Sequence, residues 1–133
     1  MKTFKIVLAV VTVLLIVILS GISTRKEVDS ILYNAANETR ISGVVAEVQE
    51  FYCPVTEDRG THVVVKTDHG PMVVHVAVAR FLREHKVSFT PGERVEVVGA
   101  KIRYKGSDAL IAREITRGDE VLRVRDDTGK PLW

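Results

Sequence analysis

THVVVKTDHGPMVVHVAVARFL, residues Thr61 to Leu82, decides the fold. Two β-branched runs, Thr61 to Thr67 and Met72 to Val78, flank an Asp-His-Gly-Pro turn. Such runs on either side of turn residues form a hairpin. The second run leads straight into Ala79 to His85 (ARFLREH), where Phe81 and Leu82 sit among charges. That segment reads as a short helix able to plug one end of a small barrel. A turn over His69-Gly70 would pair Asp68 with Pro71, placing Val64 opposite His75 and Lys66 opposite Val73. His62 would then lie diagonal to His75. Pro71 has no N–H to give the ladder, so pairing beside the turn is imperfect.

Strand signals continue on both sides of this hairpin. Upstream, Arg40 to Val48 (RISGVVAEV) alternates around Gly43 and reads as the first strand. A glycine inside a strand marks a bend, and small barrels need bends to close. Gln49 to Gly60 (QEFYCPVTEDRG) reads as a long connection carrying an aromatic pair and a Cys-Pro. Downstream, Pro91-Gly92 is a turn. Arg94 to Arg103, with its internal Gly99, is the fourth strand; Tyr104 to Asp108 is a hairpin loop; Ala109 to Ile115 is the fifth. Val121 to Val124 adds a short strand. Three strands, a helix and two strands is the order of the OB-fold. The expected class is therefore all-β with one short helix, an OB-fold-like five-stranded Greek-key barrel over residues 40–133. An SH3-like barrel is the alternative, but it would not put a helix after the third strand.

The N-terminus carries a different signal. Met1 to Lys5 is basic, and Ile6 to Leu19 is apolar except for Thr12. A basic start before an apolar run is an export signal. The run through Ile22 approaches the ~20 residues that span a bilayer. Residues 1–23 are accordingly expected to be an uncleaved signal anchor, a transmembrane helix ahead of the barrel. Gly21 and Ser23 leave a cleaved signal peptide as the alternative. Residues 24–39 read as a tether. The expected location is the bacterial inner membrane, single-pass, with the C-terminal domain in the periplasm, or free in the periplasm if cleaved.

Charge and composition narrow the function. The chain has 133 residues, 46% hydrophobic and 27% charged, with a formal charge of +2. Setting aside Lys2 and Lys5 of the apolar segment leaves a neutral remainder. A domain that tracks a phosphate backbone carries a basic excess, so nucleic acid is not the expected partner. Cys53 is the single cysteine, which rules out an intrachain disulfide and a Cys-rich zinc site.

OB-folds bind on the face of strands two and three and at the loops beside it. Phe51, Tyr52 and Tyr104, with Lys66 and Arg103, are the candidate ligand-binding residues there. Rings of this kind stack on planar ligands or seal the barrel rim. The alternation also puts His62 and His75 on one face, with Cys53 in the connection leading to it. Two imidazoles and a thiolate suit copper or zinc, and Cys53-Pro54 is a dipeptide found in some haem sites. A copper, zinc or haem handling domain built on Cys53, His62 and His75 is thus the alternative function. On this alternation the histidine face is the more polar, solvated one. Hydrolytic chemistry finds no Gly-x-Ser-x-Gly elbow, and the paired acids Glu57-Asp58 and Asp126-Asp127 sit in turns. No catalytic residues are expected. Trp133, after Pro131, is expected to fold back on the barrel.

With these residues laid out, the chain resembles the bacterial exported OB-fold proteins of the YgiW/YdeI type. That likeness rests on the apolar start, Gly43 and the Pro91–Gly99 stretch (PGERVEVVG); a closer likeness, to other signal-bearing exported OB-fold proteins, rests on the Val-His-Val before a Phe-Leu helix and the ending Arg125 to Trp133 (RDDTGKPLW). What it implies is a membrane-anchored, non-enzymatic binding or assembly module of the bacterial envelope, with an envelope protein as partner. The layout is also similar to the haem chaperone of cytochrome c maturation. That family attaches haem through a C-terminal His-x-x-x-Tyr, and no histidine follows His85 here.

Overall fold

The computed structural model describes residues 33–53 and 58–133. The expected signal anchor, and the expected tether as far as Leu32, lie outside the described residues. The compact unit runs from Tyr33 to Trp133. Its strands are β1 (Glu38–Cys53), β2 (Asp58–Thr67), β3 (Gly70–Val78), β4 (Arg94–Tyr104), β5 (Ser107–Arg117) and β6 (Glu120–Arg123). A single short helix, α1 (Ala79–Glu84), follows β3. The boundary expected at Arg40 falls inside β1, and a 3-10 turn at Ala35–Asn37 precedes that strand.

The sheet order is β3-β2-β1-β4-β5-β6, and a parallel β3–β5 pairing closes it into a barrel. Five strands in this order, with α1 between β3 and β4, make the OB-fold arrangement. β1 serves both halves: Glu38 to Val44 pairs with β4, and Val44 to Cys53 pairs with β2. The strand bends at Gly43, where a Cβ would lie 2.2 Å from the Lys66 carbonyl oxygen. Gly99 meets the Ile111 carbonyl in the same way, at 2.3 Å. Both approaches leave no room for a side chain, which is why the bends fall on glycines.

Alternation fills the barrel. Val45, Val63, Val65, Val74, Val76, Val97 and Leu110 are buried in one cluster, capped by Phe81 and Leu82 of α1. A second, smaller cluster of Ile102, Ala109 and Ile111, with Tyr33, Val73 and Tyr104 against it, lies on the other faces of these strands. It is this outer cluster that positions the candidate site.

Three expectations are corrected. The connection after β1 is much shorter than Gln49 to Gly60. β1 and β2 stay paired out to Cys53↔Asp58, so Phe51 and Tyr52 are strand residues. The alternating, aromatic composition of VQEFYC sustains the strand that far. At the central hairpin the turn is Asp68-His69, with Thr67↔Gly70 and Lys66↔Pro71 as the first pairs. The register slides accordingly, setting Val64 opposite Val73 and His62 directly opposite His75. Gly70 at φ +108 takes the backbone state that closes this turn, and Thr67 Oγ1 donates to the Gly70 carbonyl at 2.8 Å. Finally, Tyr104 belongs to β4 and pairs with Ser107. Lys105 and Gly106, both at positive φ, form the tight turn.

Candidate functional site

The site grows out of the corrected register. With His62 opposite His75, the two imidazoles meet: His62 Nε2 lies 2.8 Å from His75 Nδ1. Phe51 of β1 lies on the far side of His62, with ring centroids 3.7 Å apart, the same spacing as between the two histidines. Tyr104 closes the group edge-on, 4.6 Å from His75 and 5.5 Å from His62. Four strands, β1 to β4, thus contribute one ring each: a tilted row of Phe51, His62 and His75, with Tyr104 across it.

This is not the solvated face that alternation predicts. His62 is only 4% exposed, and His75 Nε2 is buried without a hydrogen-bond partner. Phe51 and Tyr104, distant in sequence, supply the cover. Burial lowers both histidines: His62 to about 3, with His75 and Lys105 adding to the effect, and His75 to about 4, with Arg125 adding. Both rings are therefore neutral at neutral pH. An in-plane N–H···N bond would hold imidazole centroids roughly 5 Å apart. At 3.7 Å the rings overlap, so the contact is stacking as much as hydrogen bonding.

The other candidate residues are more scattered. Tyr52 points away from the row and is 63% exposed. Lys66 is exposed on β2, opposite Pro71. Arg103 alternates away from Tyr104 and is held by Asp108 Oδ1 at 3.0 Å and the Gly106 carbonyl at 2.6 Å. It secures the hairpin and does not join the rings. Cys53 ends β1 opposite Asp58, about 13 Å along the ladder from the Gln49↔His62 pair at ~3.3 Å per residue. Among the described residues no third His, Cys, Asp or Glu converges on the histidines.

Two groups of residues escape sequence reasoning. The parallel β3–β5 seam has three pairs, Val73↔Ala109 to His75↔Ile111. Just past them Arg125 Nη1 donates to the carbonyls of Val76, at 3.2 Å, and of Ala112. Its guanidinium lies over the Trp133 ring at 4.8 Å, and Trp133 packs back on Phe81 as expected. Burial lowers the Arg125 pKa to about 10. The second group ties the entry of the chain to the barrel. Arg113 of β5 holds Glu38 through Nε at 3.0 Å and Nη2 at 2.8 Å, and Tyr33 Oη donates to Glu38 at 2.5 Å. The only trace of either in the sequence is an arginine where a strand should be apolar.

Barrel topology and the ring cluster on the β2–β3 face, between the β1–β2 and β4–β5 turns, define an OB-fold barrel whose usual binding face is built from rings. The chain belongs to the MamS/MamX magnetosome protein family, whose model matches residues 37–122. That match takes in β1 to β5, β6 as far as Leu122, and all four rings of the cluster. The family shown is thus MamS/MamX and not the YgiW/YdeI type that the layout resembles. Among solved structures the chain is similar to one in the S. pombe Stn1–Ten1 complex, at 16% identity and a TM-score of 0.48, over 71% of this chain and 75% of that one. A likeness this slight carries no argument. No curated protein matches the chain.

Proposed function

We propose that the chain is a membrane-anchored, non-enzymatic OB-fold module that docks a protein partner on its β2–β3 face, outside the cytoplasm and in a magnetosome setting. The observation that carries this reading is the ring row Phe51-His62-His75 with Tyr104, assembled on the face where OB-folds take their ligands. A buried histidine nitrogen without a partner is not a stability device. Such an unmet polar group, where a native fold keeps one, calls for another explanation. The family gives the magnetosome setting. The apolar stretch Ile6 to Leu19 supports the anchor, and the neutral remainder of the chain supports a protein over a nucleic acid.

The test is site-specific photocrosslinking in the native membrane. A photoreactive residue at Gln49, exposed on β1 and opposite His62, is expected to give a discrete protein adduct. The same residue at Val121, exposed on β6, is expected to give none. Adducts equal at both positions, or absent at Gln49, would contradict the reading.

A further inference from the structure

The paired histidines point to a ligand that the docking reading does not require. Their bridging nitrogens lie 2.8 Å apart with one proton between them; moving that proton to the other nitrogen of its ring leaves two neutral lone-pair donors in a largely covered site. An ion held by two imidazoles in line needs them about 4 Å apart, twice a metal–imidazole bond of about 2.0 Å. Turning the two overlapped rings edge-on to one another lengthens the gap in that sense. The surroundings then select the ion. Among the described residues no carboxylate acts on the pair, whereas the cations Lys105 and Arg125 both do. Hard divalent ions ask for several oxygen ligands, and the described residues bring no carboxylate set to the pair. Zinc asks for four ligands, of which the described residues supply two. Each added unit of positive charge also costs more beside two cations in a low-dielectric site. What remains is a singly charged, soft ion content with two neutral nitrogens and aromatic neighbours.

We infer that His62 and His75 form a two-coordinate site for a monovalent d10 ion, Cu(I) or its redox-inert analogue Ag(I), on the outer β2–β3 face.

The test uses the full chain in detergent, kept anaerobic. Cu(I) is titrated against a chromophoric Cu(I) chelator, Ag(I) and Zn(II) are titrated in parallel, and the copper complex is studied by X-ray absorption. The expected result is one Cu(I) per chain, with two nitrogen scatterers and no sulfur, and with Ag(I) bound and Zn(II) not. His62→Phe and His75→Phe are each expected to lose the ion while keeping the wild-type circular dichroism, since phenylalanine refills the row. Cys53→Ser is expected to bind unchanged. Absence of Cu(I) binding overturns the inference. So does binding that survives either histidine change, a sulfur scatterer, or a preference for Zn(II). Loss of the ion site with the Gln49 crosslink intact would leave docking standing, and the reverse outcome would leave the ion site standing.

Discussion

The inside of the barrel and its outer β2–β3 face are built from the same strands by opposite rules. Inside, Val63, Val65, Val74, Val76 and Leu110 alternate inward and bury apolar surface alone. Outside, His62 and His75 take the intervening positions, the first buried and the second half-buried, and His75 brings a covered nitrogen, Nε2, that the fold does not satisfy. The interior follows from hydrophobic burial. The outer cluster costs the fold something and returns no hydrogen bond for His75 Nε2. The contrast sets structure on one face against the binding role proposed for the other.

The largest break in this comparison is inside. Leu110→Ala, at a fully buried position, is expected to cost about 3–4 kcal/mol of unfolding free energy, read by denaturant titration. Next comes the seam between the two faces. Arg125→Ala leaves the Val76 and Ala112 carbonyls without their donor and removes the cation beneath Trp133. A loss of about 2 kcal/mol is expected, with faster amide exchange in β3 and β5 than in β1 and β2. If exchange rises evenly over the barrel, Arg125 is not a seam clasp.

Acid sharpens the contrast from the outer side. Both histidines titrate lower in the folded chain, at about 3 and about 4, than the usual 6.5. Between those limits the unfolded chain binds more protons, so stability rises with pH there. Stability is therefore expected to be full above about pH 7 and to fall as pH drops from 6.5 towards 4. A chain carrying both His62→Phe and His75→Phe is expected to lose most of that decline. The smallest effect belongs to Tyr52→Ser. At 63% exposure it is expected to change stability by less than about 0.5 kcal/mol.

The same contrast explains what was legible in the sequence. The barrel was, because alternation and punctuation are local. Gly43 and Gly99 announce bends that their neighbours' carbonyls then fill. The site was legible in part. His62, His75, Phe51 and Tyr104 stood out as residue types, but their register did not. Asp-His-Gly-Pro admits two turns, and the choice of Asp68-His69 rests on the Thr67–Gly70 bond and on Gly70's backbone. That slide turned a diagonal histidine pair into a facing one. Burial of the pair was illegible for another reason. Its cover comes from Phe51 and Tyr104, on strands that meet the hairpin only when the barrel closes. Arg125 was hidden likewise, since its partners are main-chain carbonyls of β3 and β5.

The most direct test of the claim that the outer cluster is kept for binding is the unfolding free energy of the His62→Phe, His75→Phe double variant at neutral pH. Replacing both polar partners by apolar rings removes the unmet Nε2 and keeps the row filled. The account predicts a variant at least as stable as the wild type. A loss of more than about 2 kcal/mol would contradict it, making the pair a structural element of the barrel.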